Sequence, residues 1–253
     1  MAGDGICTLT IDRESKRNAL NRATLDELER AFQDAARQET VRVIVLRGAG
    51  DRAFCAGADL REVLDHASIQ ESRRHFDGVA RVIRAMEAAP QPVVARVPGF
   101  ALAGGCGLAV AADFTIASES AVLGLPEITI GLLPLMVSVP VLRAVGSRKV
   151  LLDLMLTGRR VDAGEALRLG LVTRVVPDGE LDTQLAELTA QLARLSPEML
   201  RLGKEAVYTM AEMEAGAALR YLRDAIVLAS RTDDAREGVS AFFEKREPKW
   251  TGR

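Results

Sequence analysis

The sequence predicts an α/β fold with crossover connections that ends in a helical extension. Three observations carry that expectation. Val41–Leu46 and Pro92–Val97 are nearly continuous apolar, β-branched runs, the pattern of strands buried on both faces. Each leads into a glycine-rich turn and then into helical periodicity, the rhythm of strand–turn–helix units. After Pro177 the strand signals stop and nearly everything to Arg246 reads as helix.

Taken in order, Ile6–Ile11 alternates as a strand should. Leu25–Ala36 places Leu25, Leu28, Phe32 and Ala35 at helical spacing, with Thr24 as the expected cap. The strand Val41–Leu46 is followed by the loop Gly48–Gly57 and a helix from about Leu60. Ser68–Ala88 reads as a longer amphipathic helix, Pro92–Val97 as a second buried strand, and Gly99–Gly107 as a second glycine-rich turn continued by helix through Leu108–Ala112. Phe114–Ala117 is a short strand. The helical stretch 178–246 breaks near Ser196-Pro197 and Thr232-Asp233. A helical tail of that size on a strand-rich body implies packing across a subunit interface or back over an active site. No low-complexity linker separates the parts, so the chain reads as one domain, a core over 1–177 and an extension over 178–253.

Composition narrows the function classes. The 253 residues are 48% hydrophobic and 27% charged with a net charge of -2, the balance of a globular protein with no basic excess for nucleic acid. No basic amphipathic segment speaks for a membrane surface, and no apolar run approaches the roughly 20 residues of a spanning helix. A phosphate-bearing ligand would have to be held by a local cluster of Lys and Arg. The cysteines Cys7, Cys55 and Cys106, odd in number and without close pairing, fit a reduced cytoplasm. With only two histidines, His66 and His75, and no C-x-x-C, no metal site is expected. The beginning, MAGDGICTLT, has no signal pattern.

The chemistry concentrates in the two glycine turns, Phe54-Cys55-Ala56-Gly57-Ala58-Asp59-Leu60 and Ala101-Leu102-Ala103-Gly104-Gly105-Cys106-Gly107. Where a strand end meets a helix start, backbone N–H groups lie unpaired with the positive end of the helix dipole behind them. Small residues let a ligand approach closely. Two such turns side by side could aim two donors at one oxygen, each worth roughly 3 kcal/mol to a transition state. Spacing alone leaves this level with two ordinary tight βα turns. Neither turn is a phosphate loop or a full dinucleotide fingerprint, and no G-x-S-x-G elbow occurs.

The phrases Arg52-Ala53-Phe54-Cys55-Ala56-Gly57-Ala58-Asp59-Leu60 and Pro98-Gly99-Phe100-Ala101-Leu102-Ala103-Gly104-Gly105-Cys106 strongly resemble the enoyl-CoA hydratase/isomerase, or crotonase, family. The resemblance runs in order from Asp12-Arg13-Glu14-Ser15-Lys16-Arg17-Asn18-Ala19-Leu20 through Leu125-Pro126-Glu127, Leu156-Thr157-Gly158 and Glu165–Val172 to Phe242-Phe243-Glu244-Lys245-Arg246. It implies a spiral of ββα units with C-terminal helices that form trimers, often paired into hexamers. It implies that Ala58 and Gly104 donate to a thioester carbonyl. It also implies that Ala58, Asp59, Leu60 and Arg61 line the path of coenzyme A beside Gly104 and Gly105, and that Lys16, Arg17 and Ala19 flank the adenine. Phe242 and Lys245 would reach the coenzyme A of a neighbouring subunit, although a plain surface lysine explains Lys245 nearly as well. Coenzyme A is part of the acyl-CoA substrate, so no separate cofactor is expected.

Hydratases of this family use two glutamates around the substrate double bond. Here the first position falls on Gly107 and the second on Glu127. A side chain at 107, one turn into the helix, would lean back toward the reacting carbons; glycine is expected to leave a gap. Hydration needs one group to activate water and another to protonate C2, whereas moving a double bond needs only one base. Family isomerases similarly keep the equivalent of Glu127 and lack the other. Glu127 sits between Leu123-Gly124-Leu125 and Ile128-Thr129-Ile130, apolar surroundings that raise a carboxyl pKa, although a Glu after Pro is commonly a surface turn residue.

The run Leu132–Ser138, where relatives have a glycine-rich turn, would either narrow the acyl pocket or simply repack a helix start. Cys106 reads as core filler, His66 and His75 as surface residues, and Asp59 and Asp113 as loop and cap holders. The favoured function is conversion of a 3-enoyl-CoA to a 2-enoyl-CoA. The alternatives are 2-enoyl-CoA hydration and a catalytically idle acyl-CoA-binding protein. A serine peptidase on the related Clp-type fold lacks a credible Ser/His pair in the glycine turns.

Overall fold

The computed structural model describes residues 5–65 and 67–253, so the expectation for His66 lies outside the described residues. The chain runs β1 (Ile6–Ile11), α1 (Arg22–Ala36), β2 (Val43–Gly48), β3 (Ala53–Cys55), α2 (Leu60–Asp65), α3 (Ile69–Ala88), β4 (Val93–Val97), β5 (Phe100–Leu102), α4 (Gly104–Ala111), β6 (Phe114–Ser118) and β7 (Val122–Gly124). It continues through α5 (Ser138–Val145), α6 (Arg148–Thr157), β8 (Arg160–Asp162), α7 (Ala163–Leu169) and β9 (Arg174–Val176). The extension is α8 (Leu181–Ala193), α9 (Pro197–Met210), α10 (Ala215–Ala229) and α11 (Asp233–Glu244).

Two sheets result, ordered β1-β2-β4-β6-β9 and β3-β5-β7-β8. All pairings are parallel except β7 with β8. Each successive strand pair, β2/β3, β4/β5 and β6/β7, puts one strand in each sheet before the chain leaves as helix, so the chain advances as a spiral of ββα turns. The three-residue strands β3 and β5 lie inside the stretches expected to be plain glycine-rich loops.

The near-continuous apolar strands follow from cover on both faces. Val43, Ile44, Val45 and Leu46 of β2 and Val93, Val94, Ala95 and Val97 of β4 are all buried. One face packs with α1 and α3 through Leu25, Leu28, Phe32, Val79, Val82 and Met86. The other takes Leu181, Leu188 and Leu192 of α8 against Val43, Val94, Ile116 and Val176. Truncating a side chain as large as fully buried Phe32 to alanine costs about 3–5 kcal/mol.

Local caps adjust the expected boundaries. The cap of α1 is Asn21, whose Oδ1 accepts from the Thr24 amide at 2.9 Å and its hydroxyl at 2.6 Å; Thr24 is capped and does not itself cap. Ser68, expected as the first residue of the helix, is instead the cap of α3, its hydroxyl accepting from Glu71 N. His75, expected on the surface, is buried. Its position explains this, because 75, 79, 82, 83 and 86 form the apolar stripe of α3.

In the extension, α8 covers the five-stranded sheet directly. The α9 residue Lys204 ties back to the core, donating to Met86 O at 2.9 Å and Gln91 O at 3.1 Å and pairing with Asp113 at 2.8 Å. Besides the two expected breaks, the helices also part between Met210 and Ala215. Among the described residues no helix is long and apolar enough to cross a membrane. Large apolar side chains stand exposed on α10 (Leu219, Ile226, Val227, Leu228) and α11 (Val239, Phe242, Phe243).

Candidate active site

The two glycine turns meet. Leu20 and Ala58 form an isolated parallel bridge in which Leu20 N donates to Gly57 O at 2.7 Å and Asp59 N to Leu20 O at 2.8 Å. That pairing spends the Gly57 carbonyl and the Asp59 N–H, one on either side of Ala58, but not the Ala58 N–H. Gly104 is the first residue of α4, so its N–H has no partner within the helix. Among the described residues neither donor has a backbone or side-chain acceptor. A Cβ placed on Gly104 would stand 4.0 Å from Ala58 N and 3.5 Å from Leu20 Cδ1, which makes the two donors close neighbours.

This convergence depends on unusual backbone. Gly57 has φ +98, and a Cβ there would lie 2.5 Å from the Ala103 Cβ and 3.4 Å from Gly104 N. Ala103 holds φ 55 and ψ -128, a conformation that costs a non-glycine residue of order 1–3 kcal/mol. Its amide is anchored to Gly124 O at 2.9 Å. Gly105 has no room for a side chain, since a Cβ would collide with the Cys55 carbonyl of β3. The start of α4 is thereby pressed onto the second sheet with its dipole behind the donors.

The expected coenzyme-binding segments are stitched to these turns. Ala56 N donates to Arg17 O at 3.0 Å. Buried Asn18 donates from Nδ2 to Ala49 O and Ala53 O at 3.0 and 2.8 Å, and its Oδ1 accepts from Arg13 N. Arg13 donates to Ala19 O at 2.5 Å and pairs with Asp59 at 2.8 Å. Lys16, Arg17 and Arg61 are exposed. The Asp59 carboxylate is spent on Arg13 and on the first amides of α2, which hold its pKa down, so it holds the loop as expected. Leu60 and Arg61 open α2 with exposed side chains. Sequence reading did not single out Arg13 and Asn18. The available signal was an asparagine in a turn, here with φ 57, a left-handed position that asparagine tolerates.

Glu127 lies in a short 3-10 turn, Pro126–Ile130, behind β7. It is half-buried, and its Oε2 is buried with no hydrogen-bond partner among the described residues. Desolvation pushes its carboxyl up from 4.5 to about 7. The carboxylate is close enough to raise the Cys106 thiol of α4 further, on top of burial. Cys106 is buried core filler with its thiol pushed up to about 12, as is Cys55. Gly158, left-handed at φ +65, lets the end of α6 close on the turn: a Cβ there would meet Thr129 Cγ2 at 2.9 Å and Ile128 Cγ2 at 3.0 Å.

Position 107 differs from expectation. No gap is left there, because buried Val137, the residue before α5, fills it. A Cβ on Gly107 would collide with Val137 Cγ1 and Cβ, and even the Val137 Cα would lie 3.3 Å away. Of the run 132–138, Val137 is therefore core packing, while Leu133, Leu135 and Met136 are exposed. Asp113 serves structure, accepting from Val93 N at 2.7 Å and Tyr208 Oη at 3.0 Å. Phe242 and Lys245 do not join these turns as packing residues. They lie at the end of α11, which packs on α9, and both are exposed.

A two-sheet ββα spiral in which two glycine turns, one before α2 and one at the start of α4, bring unpaired backbone N–H groups together defines a crotonase-type protein. The enoyl-CoA hydratase/isomerase family profile matches residues 1–253. A crotonyl-CoA hydratase of Syntrophomonas wolfei is 33% identical over 242 residues, covering 96% of this chain and 93% of its own. Among solved structures, the enoyl-CoA hydratase of Bacillus anthracis superposes with a TM-score of 0.92 at 35% identity over 98% of this chain and 96% of that one. The enoyl-CoA hydratase of Mycobacterium smegmatis does so at 0.93 and 35% over 98% and 95%. The chain belongs to the enoyl-CoA hydratase/isomerase family.

Proposed function

We propose that the protein is an enoyl-CoA isomerase that converts a 3-enoyl-CoA to a 2-enoyl-CoA. The amides of Ala58 and Gly104 would hold the thioester oxygen, and Glu127 would carry the proton. The observation that carries this reading is the lone carboxylate: Glu127 is half-buried near neutral pKa, and position 107 offers only a glycine hydrogen. As the base, ionised Glu127 takes a proton from C2. The C–H electron pair forms the C1=C2 bond of a dienolate that keeps C3=C4, and the carbonyl pair moves onto the thioester oxygen between the two donors. The protonated acid then returns the proton to C4: the C3=C4 pair takes it, the C1=C2 pair moves to C2=C3, and the thioester carbonyl re-forms. Atoms and electrons balance with no cofactor beyond the coenzyme A the substrate carries.

Hydration of a 2-enoyl-CoA is the second reading, favoured by the hydratase names of the relatives. Binding without turnover is the third. One experiment separates them: crotonyl-CoA hydration and 3-enoyl-CoA isomerisation followed with the same preparation, wild type and Glu127→Gln. Isomerisation that exceeds hydration and disappears in the variant supports the proposal. Hydration that dominates and is lost with Glu127 overturns it. Binding of coenzyme A esters with neither turnover supports the third reading.

The same proposal assigns Lys16, Arg17, Ala19 and the 58–61 segment to coenzyme A. It assigns the exposed apolar faces of α10 and α11 to a homotrimer, or a dimer of trimers, in which Phe242 and Lys245 approach a neighbour's ligand. A reducing cytoplasm suits its unpaired thiols, two of them buried.

A further inference from the structure

Gly107 is ordinary helical backbone; nothing about its φ asks for glycine. In mid-helix a glycine is a destabilising choice relative to alanine. What asks for glycine is space, because Val137 occupies the volume a side chain at 107 would enter. Val137 is held there firmly. The turn before it is closed by Ser138 N donating to Pro134 O at 3.1 Å and Ser138 Oγ to the same carbonyl at 2.7 Å. Its own carbonyl accepts from Val141 N at 3.3 Å. Val137 and Gly107 are both buried, so the filled volume is dry and apolar.

We propose that Val137 is the specificity-determining residue of the site: its side chain occupies the place of a second acid and its water, and so commits the enzyme to single-base chemistry. The inference rests on the isomerase reading but goes further, since it makes the missing acid a consequence of two residues. A glutamate restored at 107 alone would meet the valine. Restored together with a smaller residue at 137, it would have room, and a water could lie between it and C3. Water oxygen would then bond to C3, one water proton would pass to the new carboxylate, the C2=C3 pair would move toward the thioester oxygen, and C2 would take its proton from Glu127.

The test compares full-length wild type with Gly107→Glu, Val137→Ala and the double variant. Melting is measured at one protein concentration, and crotonyl-CoA hydration and 3-enoyl-CoA isomerisation are assayed side by side. Gly107→Glu alone is expected to melt several degrees lower with no gain in hydration. Val137→Ala alone should not gain hydration, since it adds no acid. The double variant should recover much of the melting temperature and raise the hydration-to-isomerisation ratio by about 100-fold, the scale of one added acid–base group. Gly107→Asp with Val137→Ala repeats the question with a shorter acid.

The proposal is overturned if Gly107→Glu alone melts like wild type and hydrates as well as the double variant. It is equally overturned if a folded double variant hydrates no faster than Val137→Ala, or if neither double variant folds. Failure of the isomerase reading itself would show in wild type alone, as hydration without isomerisation; the contrast between single and double variants would still decide the role of Val137.

Discussion

Replacing Glu127 by glutamine should abolish turnover and at the same time stabilise the protein at alkaline pH. The carboxyl is raised from 4.5 to about 7 by desolvation, its Oε2 being buried with no hydrogen-bond partner among the described residues. Between those values the folded chain binds more protons than the unfolded one, so stability falls as pH rises through that window and the full cost applies above pH 7. The gap corresponds to about 3 kcal/mol. Glutamine removes the charge but leaves a buried amide short of a partner, an offset of about 1 kcal/mol or more. The net gain at pH 8 is therefore about 2 kcal/mol, or about 4–8 °C in melting temperature for a chain of this size. Thermal melts of both proteins from pH 5 to 8.5, at one protein concentration because assembly shifts apparent stability, give the difference directly. It should be near zero or negative at pH 5 and grow with pH. A difference that stays flat across the series would refute the claim that desolvation of Glu127 sets its proton affinity.

Three further outcomes follow from the geometry. As the base, Glu127 must be ionised, so kcat/KM for isomerisation should rise with pH and level off above an inflection near 7; a profile flat from pH 5.5 to 8.5 would count against it. Gly57→Ala, at φ +98 and 2.5 Å from the Ala103 Cβ, should cut kcat about 100-fold with the circular dichroism spectrum unchanged, by tilting a donor off the thioester oxygen. Arg13→Ala, which frees both Asp59 and the Ala19 carbonyl, should raise KM for the acyl-CoA several-fold with little change in kcat, as steady-state kinetics would report.

Much of the site was legible in the sequence because it lies in turns, where backbone conformation restricts residue choice. Gly57 and Gly105 stand where a side chain would strain or collide, and the apolar residues around Glu127 foretold its half-buried carboxyl. The strands β2 and β4 were equally plain, since cover on both faces leaves an unbroken apolar run. What escaped depends on contacts distant along the chain. Val137 meets Gly107 across thirty positions of sequence, and no local pattern reports that meeting. The three-residue strands β3 and β5 are too short to show alternation. His75 was misassigned by residue type, although the spacing of its neighbours placed it on the buried stripe of α3. Asn21 lay one turn upstream of the first apolar residue, so periodicity drew the helix boundary to Thr24.

Both proposed donors to the thioester oxygen belong to the main chain, one from each of two consecutive laps of the spiral. Short of proline, which has no N–H, no substitution of a side chain can delete either group; otherwise only a change in the path of the chain can misdirect it. Descendants of such a protein are free to alter the acids, the acyl lining and the reaction outcome while the capacity to quiet an anion is inherited through shape. On this reading the laps of the spiral hold the proposed cradle, and the residues projecting into it are left to decide which carbon reacts.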